Sequence, residues 1–141
     1  MKKNNNKGFT LVELIVVLVI LAILAAILVP TLLGYIDRAR SEKDYATAQS
    51  VRVATQAYLD ELYGKNGTKL NDDSATFLTA DAKKRIFSLV GTTSDNKIDG
   101  QPIDITAVKV KESQITSITV TINGKKYSYS SSTNTWEGET K

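Results

Sequence analysis

FTLVELIVVLVILAILAAILV, residues 9–29, stands between Gly8 and Pro30 and decides how the chain is read. Over residues 14–29 no side chain is polar. With Phe9, Leu11 and Val12 the run approaches the ~20 apolar residues that a helix needs to cross ~30 Å of hydrocarbon. The core helix of a small soluble domain would carry one apolar stripe, whereas this segment is apolar on every side and broken only by Thr10 and Glu13. Residues 9–30 are therefore expected to form a membrane-spanning helix.

A secretory signal peptide shares the basic start, here Lys2, Lys3 and Lys7, and the apolar centre. Three features separate the two. The run exceeds the ~7–15 residues of a signal h-region, a carboxylate sits near its beginning, and no A-x-A-type site precedes the return of polar residues. Ala22, Ala25 and Ala26 are small but lie inside the run. The lysines also set orientation, because positive charge beside a first membrane helix stays on the cytoplasmic side. The bulk of the chain is expected outside a cytoplasmic membrane that it crosses once.

Glu13 makes the segment more than an anchor. An ionisable group costs roughly 2.5–3.5 kcal/mol at mid-membrane and less near an end, so it either reaches the headgroups from the first helical turn or has a partner. The string KGFTLVELIVVLVILAILAAILVP, residues 7–30, resembles the N-terminus of type IV pilins and pilin-like proteins: a short basic leader, Gly before an aromatic residue, Thr, Leu, Val, then Glu. The likeness is dense over about forty residues and slight beyond. It implies cleavage by a prepilin peptidase between Gly8 and Phe9, methylation of the new Phe9 amine, and neutralisation of that amine by Glu13 of a neighbouring subunit. Pro30 matches the family's helix-breaking position. A buried carboxylate is expensive alone, and pairing with an ammonium of the adjacent chain both lowers that cost and selects one register. One departure is the lack of a mid-segment glycine, since Ala22, Ile23 and Leu24 stand there, so any melting of the helix falls to Pro30.

The 141 residues allow one modest domain beside the membrane segment. There is no cysteine, so that domain holds together by packing, and the C-terminal disulfide loop frequent in pilins is impossible. The formal charge of +3 belongs to the leader: with its three lysines set aside, 15 Lys and Arg face 15 Asp and Glu. The basic balance thus gives no reason to expect a nucleic-acid partner.

Residues 31–63 stay helical but become amphipathic, with Val51, Ala54, Tyr58 and Leu62 as the apolar stripe and Arg52, Gln56 and Asp60 elsewhere. Gly64 is the expected C-cap of one helix of about fifty residues, bent at Pro30. Residues 64–102 read as a connection holding one short helix, capped by Thr79, with Ala82, Ile86 and Leu89 as its stripe and Gly91 as its stop. Lys83, Lys84 and Arg85 on it suit a solvated face better than an anion site, since no aromatic residue interleaves with them. Asp95, Asp99 and Asp104, with Asn96 and Gly100 near, have the oxygen-rich composition of a calcium loop without its spacing. Asn66-Gly67-Thr68 is a formal glycosylation sequon.

Residues 103–141 turn to strand chemistry, and an antiparallel sheet of three to four strands is expected. Ile118, Val120 and Ile122 alternate with threonines, Asn123-Gly124 is a strong hairpin signal, and Tyr127 and Tyr129 alternate with serines. Pairing Ile122 with Lys125 sets Val120 opposite Tyr127 and Ile118 opposite Tyr129, all on one face. A preceding strand is expected over residues 107–111, with a turn at residues 112–114. Ile103 and Ile105 are out of phase with Val108 and Val110, which implies a bulge or two short strands. Trp136, in a polar tail, is expected to anchor a sheet edge.

With neither His nor Cys, and no G-x-S-x-G, P-loop or G-x-G-x-x-G, the chain offers no catalytic constellation and calls for no cofactor. The expectation is an α+β, pilin-like fold: leader 1–8, membrane and filament-core helix 9–30, amphipathic helix 31–63, connection 64–102, sheet and tail 103–141. The function implied is that of a structural subunit, the major pilin of a type IV pilus. Its partners would be identical subunits, other pilins, the prepilin peptidase and the assembly machinery. Two alternatives stand beside it: a minor pilin or pseudopilin of a secretion or DNA-uptake filament, and a single-pass anchored binding module that never polymerises.

Overall fold

The computed structural model describes residues 7–92 and 96–138. The chain divides into two compact units, Met1–Ser41 and Glu42–Lys141. The helix α1 (Leu11–Asn66) contributes its first part to one and the remainder to the other.

In the first unit the large apolar side chains between Leu14 and Leu33 are all at least half exposed, on every side of the helix. Among the described residues this is the one stretch long and apolar enough to cross a membrane, and none of it is buried. The helix is not interrupted at Pro30. Proline removes the N–H that the carbonyl of Ala26 would accept. One residue on, the Thr31 hydroxyl donates to the carbonyl of Leu28 at 2.8 Å, adding a side-chain bond to this weakened turn.

The second unit packs the rest of α1 and α2 (Ala80–Val90) on a five-stranded antiparallel meander: β1 (Lys97–Ile98), β2 (Gln101–Lys111), β3 (Gln114–Ile122), β4 (Lys125–Ser130) and β5 (Thr135–Gly138). The sheet has more strands than the three to four expected. The additions are its two short edges, which lack the alternating apolar pattern that marks a strand in sequence. The hairpin register is as expected, with Ile122 opposite Lys125, Val120 opposite Tyr127 and Ile118 opposite Tyr129. The phase slip in β2 is a register shift between Ile105 and Ala107 within one continuous strand, which buries Ile103, Ile105, Val108 and Val110 together. That strand begins at Gln101, well before the expected Ala107, and the turn after it is Glu112-Ser113, with Gln114 already in β3.

The α1 stripe is rotated from the expected one. Asp44, Ala48, Val51, Ala54, Thr55 and Leu59 are buried, while Tyr58 and Leu62 are half-buried. Two polar residues enter because their polar atoms are satisfied: Thr55 Oγ1 donates to the carbonyl of Val51 at 2.8 Å, and Asp44 accepts the Tyr127 hydroxyl at 2.7 Å. Burial first, and then the Asp44 carboxylate, push the Tyr127 phenol up. The helix also outruns Gly64. It ends at Asn66, where Gly67 takes φ +65° and its N–H donates to the carbonyl of Tyr63 at 2.8 Å. In α2 the Thr79 cap, accepting from the Ala82 N–H, and the left-handed Gly91 are as expected. The buried stripe, however, is Ala82, Ile86 and Phe87, and Leu89 is 45% exposed.

Asp72, unremarked in the sequence, ties the connection to the sheet. Its backbone exchanges hydrogen bonds with Val110 at 2.9 and 2.8 Å. Its carboxylate accepts from the Ser74 N–H and hydroxyl, the Thr76 hydroxyl and the Phe77 N–H at 2.7–3.1 Å. These donors, Thr76 first, bring the carboxyl down from 3.8 to about 2. Because the folded value lies below the unfolded one, the stabilisation is complete above about pH 4 and is lost as pH falls through about 2. Asp72→Ala is expected to cost about 2–3 kcal/mol, the range for buried donors losing a charged acceptor. Thermal melts of the full chain in detergent from neutral pH to pH 2 check this: the wild type should lose its advantage over the variant at the acid end.

Candidate processing and assembly site

Lys7 to Thr10 precede α1 and adopt neither helix nor strand, so the Gly8–Phe9 bond lies in irregular, exposed backbone. Phe9 is 86% exposed. Lys2 and Lys3 lie outside the described residues.

At the helix start Thr10 and Glu13 cap each other. The Thr10 N–H donates to Glu13 Oε2 at 2.8 Å, and the Glu13 N–H donates to Thr10 Oγ1 at 3.3 Å. With Thr10 just before the first helical residue and Glu13 three positions later, this is a capping box. It satisfies two of the four orphan N-terminal donors and keeps the carboxylate at the positive end of the helix dipole. Its sequence signal is Thr-x-x-Glu directly before an apolar run. One consequence is chemical: a carboxylate offers about four acceptor positions, so Glu13 can hold its own Thr10 and still accept an ammonium brought to the same helix end. Around it, Phe9, Val12, Leu14, Val16 and Val17 line an open apolar groove. Pro30 lies seventeen residues along the helix from Glu13.

The calcium candidates divide. Asp95 lies outside the described residues. Asp99, in the β1–β2 turn, pairs with Lys43 at 2.8 Å, and Asp104 on β2 pairs with Lys83 at 2.7 Å. Each carboxylate thus faces a lysine. The cationic run on α2 is likewise partly engaged, since Arg85 reaches Glu61 at 3.4 Å.

Among known proteins, residues 3–29 match the family model described as the prokaryotic N-terminal methylation motif. No curated protein and no solved structure matches the chain. The match spans the leader lysines Lys3 and Lys7, the Gly8–Phe9 bond, the Thr10–Glu13 capping box and the apolar run. That motif is of a structural, pilin type and does not define an enzyme family. On this ground the chain carries, over residues 3–29, the prokaryotic N-terminal methylation motif, the leader of type IV prepilin-like proteins.

Proposed function

We propose that the protein is a structural subunit, the major pilin, of a type IV pilus, made as a precursor anchored in the cytoplasmic membrane with its second unit outside. A prepilin peptidase cuts between Gly8 and Phe9 and methylates the Phe9 amine. The assembly machinery then moves the subunit into a filament on the cell surface, where it packs against identical subunits and other pilins through residues 9–30. Pro30 marks the helix turn that is easiest to open during that transfer. The observation that carries the reading is the motif match over residues 3–29. The exposed apolar helix supports it: lipid is already apolar, so association rests on close packing and on the pairing of Glu13 with a neighbour's Phe9 ammonium.

Intact-mass and N-terminal peptide spectrometry on sheared cell-surface material tests this. The expected species is a chain beginning at methylated Phe9 and abundant in the filament fraction. A chain that is processed but scarce there would make it a minor pilin or pseudopilin. A chain retaining Lys7 and Gly8 and confined to membranes would replace both readings with the anchored binding module.

A further inference from the structure

The sheet of the second unit has one face buried and one turned to solvent. On the inner face Ile118, Val120, Tyr127 and Tyr129 are buried. On the outer face charge and hydroxyls fall in different places: β2 carries the charge, with Asp104, Lys109 and Lys111 exposed. From β3 to β5 there are two rows instead. Ser117, Ser130 and Thr135 lie opposite one another, and Thr119, Ser128 and Glu137 form the next row. These six residues, with Thr133 of the β4–β5 loop, line a depression of about 350 Å³. Their hydroxyls are paired: Thr119 Oγ1 with Ser128 Oγ at 3.0 Å, Thr135 Oγ1 with Thr133 Oγ1 at 2.8 Å, and Ser130 Oγ with Ser132 Oγ at 2.9 Å. In each pair either oxygen can donate. Glu137 is exposed and takes part in no ion pair among the described residues. Lys109, opposite Ser117, and Lys126, opposite Thr121, flank the depression without lining it.

We infer that this depression is a binding site for a neutral saccharide of one or two pyranose rings. Its volume is at the low end of the ~300–1,000 Å³ usual for small-ligand sites. A serine or threonine hydroxyl offers one donor and two acceptor positions and rotates to suit its partner, so a pair that bonds in either sense can open toward a sugar hydroxyl in either sense. The grid has a fitting scale. Hydroxyls stand ~4.8 Å apart from strand to strand and ~7 Å apart along a strand, so one ring touches both rows at once. Glu137 supplies the strong acceptor: two adjacent ring hydroxyls can donate to its two oxygens. Other occupants fit less well. An anion meets no cation inside the depression and is repelled by Glu137, and an apolar ligand would strip the hydroxyls of water without replacing their bonds. The inference concerns the second unit alone, so it holds whether that unit is carried on a filament or on a single anchored chain.

The test uses the full chain in phosphocholine micelles, a detergent without a sugar headgroup, and follows backbone amide shifts during titration. The probes are the methyl pyranosides of glucose, galactose, mannose and N-acetylglucosamine, with glucuronate as the anionic counterpart. At least one neutral glycoside is expected to give saturable shifts at Ser117, Thr119, Ser128 and Glu137 while the buried Leu59 and Ile86 stay unmoved, and glucuronate is expected to bind more weakly. Glu137→Gln should weaken that binding about tenfold, the difference between a charged and a neutral acceptor, and Ser128→Ala about fivefold, the loss of one hydrogen bond. Both side chains are exposed, so the fold should survive, and unchanged near-UV circular dichroism checks this. No saturable shift from any of the four glycosides at tens of millimolar overturns the site. So does binding undiminished in Glu137→Gln, or a preference for glucuronate that is lost in Lys109→Gln or Lys126→Gln, which would make the face an anion surface. None of these readouts involves the N-terminal segment, so the saccharide site and the filament reading fail separately.

Discussion

Glu13→Ala is expected to leave membrane insertion and cleavage after Gly8 intact while lowering the yield of sheared filaments by at least about tenfold. Truncating one member of a buried charge pair leaves the other uncompensated, at roughly 3–5 kcal/mol, and tenfold corresponds to only about 1.4 kcal/mol. Insertion should survive because removing a carboxylate makes the segment more apolar. Glu13 also caps its own helix, so a loss of assembly in the alanine variant alone could reflect a frayed first turn. Glu13→Gln separates the two effects. Glutamine can still accept the Thr10 N–H in a capping box but carries no charge for a neighbour's amine. If charge pairing drives assembly, the glutamine variant fails like the alanine one; filaments at wild-type yield from Glu13→Gln would reduce Glu13 to a cap. Membrane fractionation, N-terminal peptide mass and filament yield from the same cells provide all three readouts.

The second large effect lies in the second unit. Phe87→Ala is expected to destabilise it by about 3–5 kcal/mol, the usual cost of deleting a fully buried aromatic ring, and to lower the melting temperature by about 15 °C or more. Leu89→Ala, two residues on, should fall within about 0.5–1 kcal/mol because that side chain is 45% exposed. Near-UV circular dichroism of the full chain in detergent follows the tertiary packing without interference from the long helix. Equal losses at the two positions would contradict the burial of α2 as described.

That contrast also marks how far the sequence could be read. Ala82 and Ile86 lie on the buried face whichever neighbour completes it; the sequence reading completes it with Leu89, three residues beyond Ile86, and the structure with Phe87. Which one turns inward depends on how the helix is rolled against a sheet whose position no local pattern encodes. The same roll separates Val51 and Ala54, correctly placed, from Tyr58 and Leu62, which yield to Thr55 and Leu59. Periodicity counts only apolar types, so a threonine bonded to its own helix, or an aspartate closed by a tyrosine hydroxyl, is invisible to it. The β3–β4 register was legible because Asn-Gly fixes the turn and strict alternation fixes the face. The edge strand β5 was not, because Trp136 alone carries its packing, on Tyr129 at 5.4 Å and to Gln49 through its indole N–H. At the site, the expected cleavage bond and the roles given to Pro30 rest on the resemblance, Glu13 stands out already as a carboxylate in an apolar run, and the Thr10–Glu13 box follows from helix chemistry and needs no family.

One side chain of the second unit ties α1 to the main chain of the β2–β3 hairpin. Gln56 donates through Nε2 to the carbonyl of Ser113 at 2.8 Å and to Asp60 at 3.0 Å, and accepts at Oε1 from the Ile115 N–H at 3.1 Å. The amide therefore behaves as a strand residue inserted into the β2–β3 hairpin from a helix more than fifty positions earlier in the chain. Sliding the hairpin along α1 by even one residue would break both main-chain bonds at once, so slip has no partial state to pass through. Within the second unit this helix end is thereby registered on the hairpin as one strand is registered on the next.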